Sequence, residues 1–217
     1  MAIQIAHNMD CMEAMRQMPD KFYDLCICDP PYGIGITQSG RLGRYNANKI
    51  RWDENTPDRN YFEQLFRVSK NQIIWGGNYF DLPPTRCFLI WDKQQPEAVS
   101  FASCEYAWTS IDGSAKTFYM RPQGQDGGNR IHPTQKPVAL YEWLLRNYAK
   151  QGDKILDTHL GSGSSRIAAY NLGFDFVGYE IDPDYFKAQE ERFKKHTAQI
   201  SLFDPSPKQQ PEQMQII

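Results

Sequence analysis

The chain has 217 residues, which is the length of one large domain. Its 24 basic and 26 acidic residues give a net charge of −2, which excludes a protein held on nucleic acid by bulk positive charge. The sequence has no apolar run near the roughly 18 residues of a membrane-spanning helix, and its first residues lack the pattern of a signal peptide. The five cysteines show no C-x-x-C spacing, so we expect a reduced, cytoplasmic protein that holds no metal.

In the first half of the chain, short apolar runs separated by turn residues predict buried strands. The second of these strands ends at Pro30 and Pro31, which cannot continue a strand ladder. Two segments without periodicity, about 33–55 and 112–130, are predicted to be exposed loops. The predicted strands are 3–6, 23–28, 72–75, 88–91 and 106–110, and a helix is predicted at 59–69.

After Pro137, helices and strands alternate regularly. The predicted elements are a helix at 138–148, a strand at 154–157, a helix at 164–171, a strand at 176–180, and a last helix from about 185 that fades near 196. This alternation favours a mostly parallel sheet covered on both faces, the doubly wound α/β class. We expect one domain over residues 1–200, followed by a polar, disordered tail over 201–217.

The first motif that carries chemistry is Leu156-Asp157-Thr158-His159-Leu160-Gly161-Ser162-Gly163, between a predicted strand and a predicted helix. Glycines there let the backbone approach a ligand closely, and the helix N-terminus offers free N–H donors. Glu180 ends the next strand, where an acid can accept both hydroxyls of a ribose. A glycine pair alone often only caps a helix, but the whole arrangement in register predicts a nucleoside site.

The second motif is Asp29-Pro30-Pro31-Tyr32, at the end of a buried strand. An exocyclic amino group on a base is a poor nucleophile, because its lone pair is delocalised into the ring. Asp29 supplies an ionised acceptor for its hydrogens, and Pro30 a carbonyl oxygen with no competing N–H. Tyr32 can stack on the flat base, a contact worth about 1–3 kcal/mol. The alternative is a tight Pro-Pro turn that merely ends a strand.

The position of the two motifs favours the chemical interpretation. In a doubly wound sheet, ligands bind beyond the carboxyl ends of the strands, where the winding reverses. Two such strand ends on adjacent strands would face each other across one site. We therefore expect a methyl donor and an acceptor base to meet there.

Together and in this order, the two motifs resemble those of the permuted beta class of DNA amino-methyltransferases, and the resemblance spans residues 3–193 approximately. It implies a circularly permuted, seven-stranded, Rossmann-like fold that uses S-adenosyl-L-methionine, with the base flipped out of double-stranded DNA. By this resemblance the catalytic residues are Asp29, Pro30, Pro31 and Tyr32. The residues that the resemblance assigns to the cofactor are Asp10, Cys11, Asp29, His132, Thr134, Lys136, Asp157, His159, Gly161, Ser162, Gly163, Glu180 and Ile181. His159 stands where the family usually has phenylalanine, and we interpret it as a ring that covers the cofactor rather than as a base.

The resemblance also bears on the target base. Members that act on the cytosine amino group more often carry Ser at the position of Asp29, so N6 of adenine is favoured and N4 of cytosine is the alternative. Two different functions are a methyltransferase fold retained only for binding, and an enzyme acting on RNA or protein. Intact motifs argue against the first, and the early position of Asp29 argues against the second.

Positive charge is concentrated in the two predicted loops, which could contact DNA. The candidate DNA contacts are Arg41, Arg44, Lys49, Arg51, Lys116, Arg121 and Arg130, although balanced, solvated loops would look the same. The second loop takes the place of the family's recognition region and is short. We therefore expect a short recognition sequence or weak specificity.

One further motif lies near the predicted tail. Gln199-Ile200-Ser201-Leu202-Phe203 resembles the pentapeptide that binds bacterial sliding clamps, with Gln199, Leu202 and Phe203 as the candidate anchors. The alternative is that Leu202 and Phe203 pack the tail onto the domain. The resemblance also suggests a homodimer and a role in restriction-modification, and the sequence leaves both open.

Overall fold

The computed structural model describes residues 2–36, 52–96, 102–122 and 130–203, with the backbone alone for 200–203. The strands are β1 (Gln4–Asn8), β2 (Tyr23–Cys28), β3 (Ser69–Trp75), β4 (Phe88–Asp92), β5 (Cys104–Thr109), β6 (Lys116–Tyr119), β7 (Lys154–Asp157) and β8 (Asp175–Glu180). The helices are α1 (Cys11–Gln17), α2 (Arg59–Val68), α3 (Val138–Tyr148), α4 (Ser164–Leu172) and α5 (Pro183–Phe203).

The strands form one sheet in the order β1-β8-β7-β2-β3-β5-β4-β6. All neighbouring pairs are parallel except the two that β5 makes with β3 and β4. The predicted doubly wound, mostly parallel α/β class is therefore confirmed. In the middle of the sheet β2 pairs with β7, so the strand before Asp29 lies beside the strand before the glycine loop.

The predicted number of seven strands is wrong for this chain, because the described residues contain eight. The additional strand is β6, which pairs with β4 at one edge of the sheet. Lys116-Thr117-Phe118-Tyr119 has the β-branched and aromatic residues that favour a strand, but it is only four residues long. Glycines and polar residues on both sides made the whole of 112–130 resemble a loop.

The sheet is covered on both faces by apolar helix surfaces. On one face Leu140 and Leu144 of α3 are fully buried against strand residues such as Ile27. On the other face Met15 of α1 and Leu65 of α2 are fully buried in a second cluster. Full burial of one such side chain stabilises the fold by about 1.5–3 kcal/mol. Both faces of the sheet are thus held rigidly, and the strand ends that carry the motifs are held with it.

The last helix is longer than predicted. We expected it to fade near residue 196, but α5 begins at Pro183 and continues to Phe203. The segment 196–203 contains no Gly or Pro, and Pro205, which disfavours helix at the residue before it, comes only afterwards. The first three residues of the predicted tail are therefore helical, and 204–217 lie outside the described residues. No helix in the described part of the chain is long and apolar enough to cross a membrane.

Candidate active site

Three strand ends meet at one cavity of about 410 Å³. Asp29 follows β2, the glycine loop follows β7, and Glu180 ends β8. These three strands are neighbours in the sheet and run parallel, so their carboxyl ends share one edge. The predicted site residues that line the cavity are Asp29, Pro31, His132, Thr134, Lys136, His159, Gly161, Ser162, Glu180 and Ile181.

Six predicted residues do not line the cavity: Asp10, Cys11, Pro30, Tyr32, Asp157 and Gly163. The Asp10 carboxylate caps α1 by accepting a hydrogen bond from the Met12 N–H at 2.8 Å. The Cys11 side chain is buried in the core, where burial raises the pKa of its thiol to about 12. Gly163 adopts a left-handed φ of +72° at the start of α4. The structure gives these three residues a supporting position, and their contact with the cofactor stays a prediction.

Asp157 holds the start of the glycine loop through hydrogen bonds, without lining the cavity itself. Its carboxylate accepts hydrogen bonds from the His159 N–H at 3.0 Å and from the Ser165 hydroxyl at 2.5 Å. The side chain is almost fully buried, and burial raises the pKa of its carboxyl to about 7, with the Asp29 and Glu180 charges adding to the shift. Asp157 therefore fixes where the loop leaves β7.

Glu180 faces the cavity with both carboxylate oxygens already engaged on one side. Oε2 accepts the Gly161 N–H at 2.7 Å, and Oε1 accepts the Asp182 N–H at 2.9 Å. Each carboxylate oxygen has two lone pairs, so each can still accept one hydroxyl from a ligand. Burial raises the pKa of the Glu180 carboxyl. The two backbone contacts hold this acid in a fixed orientation at the rim of the glycine loop.

Asp29 has a partner on each carboxylate oxygen. The Tyr32 hydroxyl donates a hydrogen bond to Oδ1, and the Lys136 ammonium lies 2.5 Å from Oδ2. Burial raises the pKa of the Asp29 carboxyl, while the charge of Lys136 acts in the opposite direction. The ion pair with Lys136 makes the ionised carboxylate tolerable at a buried position.

Lys136 was predicted to contact the cofactor, and the structure adds a second set of contacts. It lines the cavity, but its side chain is 2% exposed, and its ammonium also forms an ion pair with Glu105 at 3.0 Å. Glu105 in turn pairs with Lys93 at 2.7 Å. The two ammonium groups lower the pKa of the Glu105 carboxyl to about 2 against the opposing effect of burial. A chain of alternating charges thus ends on Asp29.

The Tyr32 ring is held by a close backbone approach. It stacks on Tyr79 with ring centroids 5.0 Å apart and an interplanar angle of 15°. A Cβ atom on Gly76 would lie 2.1 Å from the Tyr32 ring, so only glycine leaves room for the ring there. The Asp53 carboxylate accepts the N–H groups of Tyr32 at 2.7 Å and Gly33 at 3.1 Å. These contacts fix the chain just beyond Asp29.

Aromatic rings form another wall of the cavity. His132 stacks against Trp52 at 5.3 Å between centroids and meets Tyr185 edge-on at 4.3 Å. Burial lowers the pKa of His132 to about 3, and the Lys136 charge adds to this. The His132 Nδ1 accepts the Thr134 N–H at 3.4 Å, which places the proton of the neutral ring on Nε2.

His159 occupies the position predicted for a ring that covers the cofactor. It lines the cavity and meets Tyr61 edge-on, with centroids 5.4 Å apart. Burial lowers the pKa of His159 to about 4, so the ring is neutral near pH 7. Its surroundings support the interpretation of a covering ring.

The predicted DNA contacts divide into three groups. Arg41, Arg44, Lys49 and Arg51 lie outside the described residues. Lys116 begins β6, at the end of the sheet opposite to Asp29, and donates to the Asn147 side chain at 2.8 Å. Arg121 follows the end of β6 and Arg130 comes two residues before His132, both at the end of the sheet where Asp29 lies. The structure therefore does not bring Lys116 to the site.

The candidate clamp motif lies at the end of α5. Gln199 is exposed, and the side chains of Leu202 and Phe203 are outside the described residues. Clamp binding stays a prediction, as does a homodimer. Within the described residues, no group of three or more His, Cys, Asp or Glu side chains is placed to hold a metal ion.

Several cavity residues carried no signal that our sequence analysis detected. Trp52, Tyr141, Asp182 and Tyr185 line the cavity, and Glu105 is joined to it through Lys136. These residues share no local sequence feature that marks them as part of a site. The acid Asp182 could have been noticed, because it caps α5 by accepting the N–H groups of the first turn.

The donor set fits S-adenosyl-L-methionine. The cavity volume is in the range of small-molecule sites. Glu180 offers acceptors for ribose hydroxyls, and the Tyr141, His132 and His159 rings offer apolar surface for a nucleoside. Carboxylates at Asp29 and Asp182 suit the positive charges of a sulfonium and an amine. Glu180, the glycine loop and His159 are the residues that would hold it.

Comparison with known proteins gives a consistent result. The model of the family N6_N4_Mtase, described as DNA methylase, matches residues 74–191. The chain is 26% identical over 206 residues to YubD of Escherichia coli (strain K12), which is named as a methylase, covering 84% of this chain and 87% of YubD. It is 29% identical over 163 residues to the type II methyltransferase M2.DpnII of Streptococcus pneumoniae. That match covers 75% of this chain and 56% of M2.DpnII, so the chain spans little more than half of that relative.

Solved structures share the fold at low sequence identity. One is TTHA0409 of Thermus thermophilus, which is named as a DNA modification methylase and was solved in complex with S-adenosyl-L-methionine. Its TM-score with this chain is 0.55 at 20% sequence identity, and the match covers 89% of this chain and 96% of TTHA0409. A complex of M1.HpyAVI with the same cofactor has a TM-score of 0.57 at 19% sequence identity, and the match covers 87% of this chain and 98% of M1.HpyAVI. The cytosine-N4-specific PvuII DNA methyltransferase has a TM-score of 0.57 at 13% sequence identity, and the match covers 92% of this chain and 93% of the PvuII enzyme.

Proposed function

The chain belongs to the N6/N4 DNA methylase family, and from that premise we propose that it methylates the N6 amino group of adenine in a base that has left the double helix. It is an S-adenosyl-L-methionine-dependent DNA methyltransferase. When bound, the cofactor supplies an electrophilic methyl group on a sulfonium sulfur.

The observation that carries the proposal is the position of Asp29. Its carboxylate lines the same cavity as Gly161 and Glu180, although these residues come from opposite halves of the chain. A ligand on the glycine loop and a base against Asp29 would therefore share one enclosed space. Methyl transfer requires this proximity, because donor carbon and acceptor nitrogen must come within about 3–3.5 Å.

Asp29 and Pro30 supply the acceptors that an exocyclic amine needs. A carboxylate oxygen takes one amino hydrogen, and the Pro30 carbonyl takes the other. As both hydrogens are held, the nitrogen becomes more tetrahedral and its lone pair turns toward the electrophile. The Pro30 and Pro31 nitrogens carry no hydrogen, so no backbone donor there competes for Asp29. The surplus proton of the methylated amine is closest to Asp29.

Tyr32 supports the base from the side. Its ring stacks against Tyr79, and it directly follows Pro31, which lines the cavity. Stacking of a base on such a ring contributes about 1–3 kcal/mol. That offsets much of the few kcal/mol required to extrude a base from the duplex.

The identity of Asp29 supports adenine as the target. Cytosine-N4 members of the resembling class more often carry Ser at this position, and the ionised carboxylate held by Lys136 is the stronger acceptor. The shared fold with a cytosine-N4-specific enzyme does not bear on this choice, because the fold is common to both targets. Arg121 and Arg130 are the described residues that we expect to contact the DNA backbone.

The test is to identify the methylated nucleoside. The protein is incubated with unmodified plasmid and S-adenosyl-L-methionine carrying a labelled methyl group, and the DNA is digested to nucleosides and separated. We expect the label in N6-methyl-2′-deoxyadenosine, and none with the Asp29→Ala variant. Label in N4-methylcytosine would overturn the choice of adenine, and unlabelled DNA would overturn the proposed acceptor altogether.

A further inference from the structure

Glu105 lies at the centre of a buried ion-pair chain that the proposed reaction does not yet use. Its Oε1 is 2.7 Å from the Lys93 ammonium, and its Oε2 is 3.0 Å from the Lys136 ammonium. The Lys136 ammonium then lies 2.5 Å from Oδ2 of Asp29. The side chains of Glu105 and Lys93 are 22% and 12% exposed, so this is an interior network rather than a surface one.

Glu105 reaches the site because β5 runs against the other strands. Residues near the start of an antiparallel strand lie at the edge where its parallel neighbours end. Glu105 pairs with Trp91 near the end of β4, and Ala107 pairs with Trp75 at the end of β3. Side chains two apart share a face, so Glu105 points to the same face as Ala107, which packs in the cluster beneath α3. Lys136 immediately precedes that helix.

The Lys136 ammonium needs more than one acceptor at this depth. Its side chain is 2% exposed, and its other neighbours are the Tyr32 hydroxyl, a distant acceptor at 3.4 Å, and the faces of the Trp75 and Tyr32 rings, at 5.4 and 5.8 Å. Rings attract a cation but accept no strong hydrogen bond. Removing one partner of a buried ion pair leaves an uncompensated charge, which is strongly destabilising. Glu105 therefore determines where this ammonium can rest.

We propose that Glu105 is a positioning residue of the methyl-transfer site, which holds the Lys136 ammonium on Oδ2 of Asp29 and so leaves Oδ1 to face the target amine. The role deepens, and rests on, the proposed transfer to an exocyclic amino group. Glu105 is assigned no contact with the base or the cofactor. It acts through Lys136, and Lys93 neutralises its second oxygen.

Two substitutions at Glu105 separate its charge from its shape. Glu105→Gln keeps an oxygen that can accept from Lys136 and removes the negative charge. Glu105→Ala removes both. Lys136→Met removes the ammonium, with Lys70→Met and Glu63→Gln as matched controls, because those two residues form exposed ion pairs elsewhere.

The first readout is the titration of Asp29 itself, measured without DNA. Carbon-13 NMR follows the chemical shift of each aspartate carboxyl carbon as the pH is changed. The signal that is absent from the spectrum of Asp29→Asn is assigned to Asp29. The charged or titratable groups that face Asp29 are Tyr32 from its own loop, Lys136 from the segment before α3, Glu105 from β5, Tyr141 from α3 and Asp157 from β7.

The pKa of Asp29 should change in opposite directions in two variants. Glu105 raises the pKa of Asp29 by repulsion and Lys136 lowers it by attraction. Glu105→Gln should therefore lower the midpoint of the Asp29 titration, and Lys136→Met should raise it, each by about one pH unit. An Asp29 midpoint unchanged in Glu105→Gln would overturn the proposal. Since no methylation is measured, this result does not depend on whether adenine is the substrate.

The second readout is the split between turnover and binding. Glu105→Ala should lower kcat by about tenfold or more, because a small displacement of a reacting group has large effects, while the Kd for S-adenosyl-L-methionine stays within about threefold. Glu105→Gln should recover a substantial part of the lost kcat. Equal kcat in wild type and Glu105→Ala, or equal losses in Ala and Gln, would contradict positioning through Lys136. If Glu105→Ala does not fold, the Gln variant and the titration still decide.

Discussion

The Tyr32 hydroxyl donates a hydrogen bond to Oδ1 of Asp29, the oxygen that the proposed reaction assigns to the target amine. Burial and the Asp29 charge hold the pKa of Tyr32 well above its usual value, so the hydroxyl keeps its proton and remains a donor. In the structure described, the carboxylate is therefore occupied by its own neighbour. An entering base has to share Oδ1 with this hydroxyl or displace it before its amino group can be held.

This relationship predicts different outcomes for two substitutions of Tyr32. Tyr32→Phe keeps the ring for stacking but removes the competing hydroxyl. We expect the KM for DNA to fall by about two- to tenfold, the equivalent of one net hydrogen bond. Tyr32→Ala loses the stacking surface, and we expect kcat/KM to fall by roughly tenfold or more. Steady-state methylation kinetics measure both.

The control for the Tyr32 variants is Tyr170→Phe on α4, which removes a hydroxyl far from Asp29. Its kinetics should match those of the wild type. If Tyr32→Phe impairs DNA methylation as severely as Tyr32→Ala, the hydroxyl is required for the reaction rather than displaced by the base.

Gly76 makes the position of the Tyr32 ring possible. It has a φ of +70°, and an added Cβ would lie 2.1 Å from the ring. We expect Gly76→Ala to lower stability through backbone strain of about 1–3 kcal/mol and also to displace the ring, reducing methylation while cofactor binding persists. Thermal unfolding, calorimetric cofactor binding and methylation assays measure the three effects.

Gly152 provides a matched control for Gly76. It has a φ of +92° and nothing within 4 Å of the position that a Cβ would take. Gly152→Ala should therefore carry a comparable backbone strain without any clash. A methylation rate that is reduced equally in both variants would mean that general destabilisation, not the Tyr32 ring, is responsible.

Asp157 predicts an unusual dependence of stability on pH. The pKa of its carboxyl is about 7 in the folded protein, whereas the ordinary value for an aspartate, taken here for the unfolded chain, is 3.8. The folded state therefore binds the proton more tightly than the unfolded state. Stability contributed by this group is highest below pH 3.8, falls as the pH rises from 3.8 to 7, and is constant above pH 7. An amide at this position should avoid that loss.

We therefore expect Asp157→Asn to be more stable than the wild type at pH 8 by about 4 kcal/mol, with the difference shrinking toward pH 4. The Asn side chain can still accept from the His159 N–H and can donate to Ser165. Denaturant unfolding across this range measures the difference, with the exposed Glu13→Gln as control. A variant that is less stable than the wild type at pH 8 would show that the ionised carboxylate is needed there.

Much of the site could be predicted because it depends on local sequence. Asp29 and Glu180 end buried strands, and in a parallel sheet the ends of neighbouring strands share one edge. The composition of the strands and the turn residues after them place Asp29, Gly161 and Glu180 at strand ends, and the expected doubly wound sheet brings those ends together. The predicted meeting of the two motifs is confirmed by the pairing of β2 with β7.

The rest depends on long-range geometry. Glu105 belongs to the site only because β5 is antiparallel, and strand direction is not encoded in the local pattern around Glu105. Asp53 lies 21 residues from Tyr32 along the chain, and its role depends on the approach of its carboxylate to the Tyr32 N–H. Lys116 shows the same dependence, because its charge suggested DNA contact while β6 places it at the end of the sheet opposite to Asp29.

The most direct test of the central claim is the single-turnover rate of methyl transfer in Asp29→Asn. Enzyme saturated with S-adenosyl-L-methionine is mixed with saturating DNA, and methylated base is quantified with time, so that binding does not limit the rate. We predict a rate lower than that of the wild type by about a hundredfold or more, the usual effect of removing one preorganised electrostatic contact, with an unchanged rate for the exposed Asp20→Asn control. A rate for Asp29→Asn within about threefold of the wild type would contradict the assignment of Asp29 as the residue that holds the target amine.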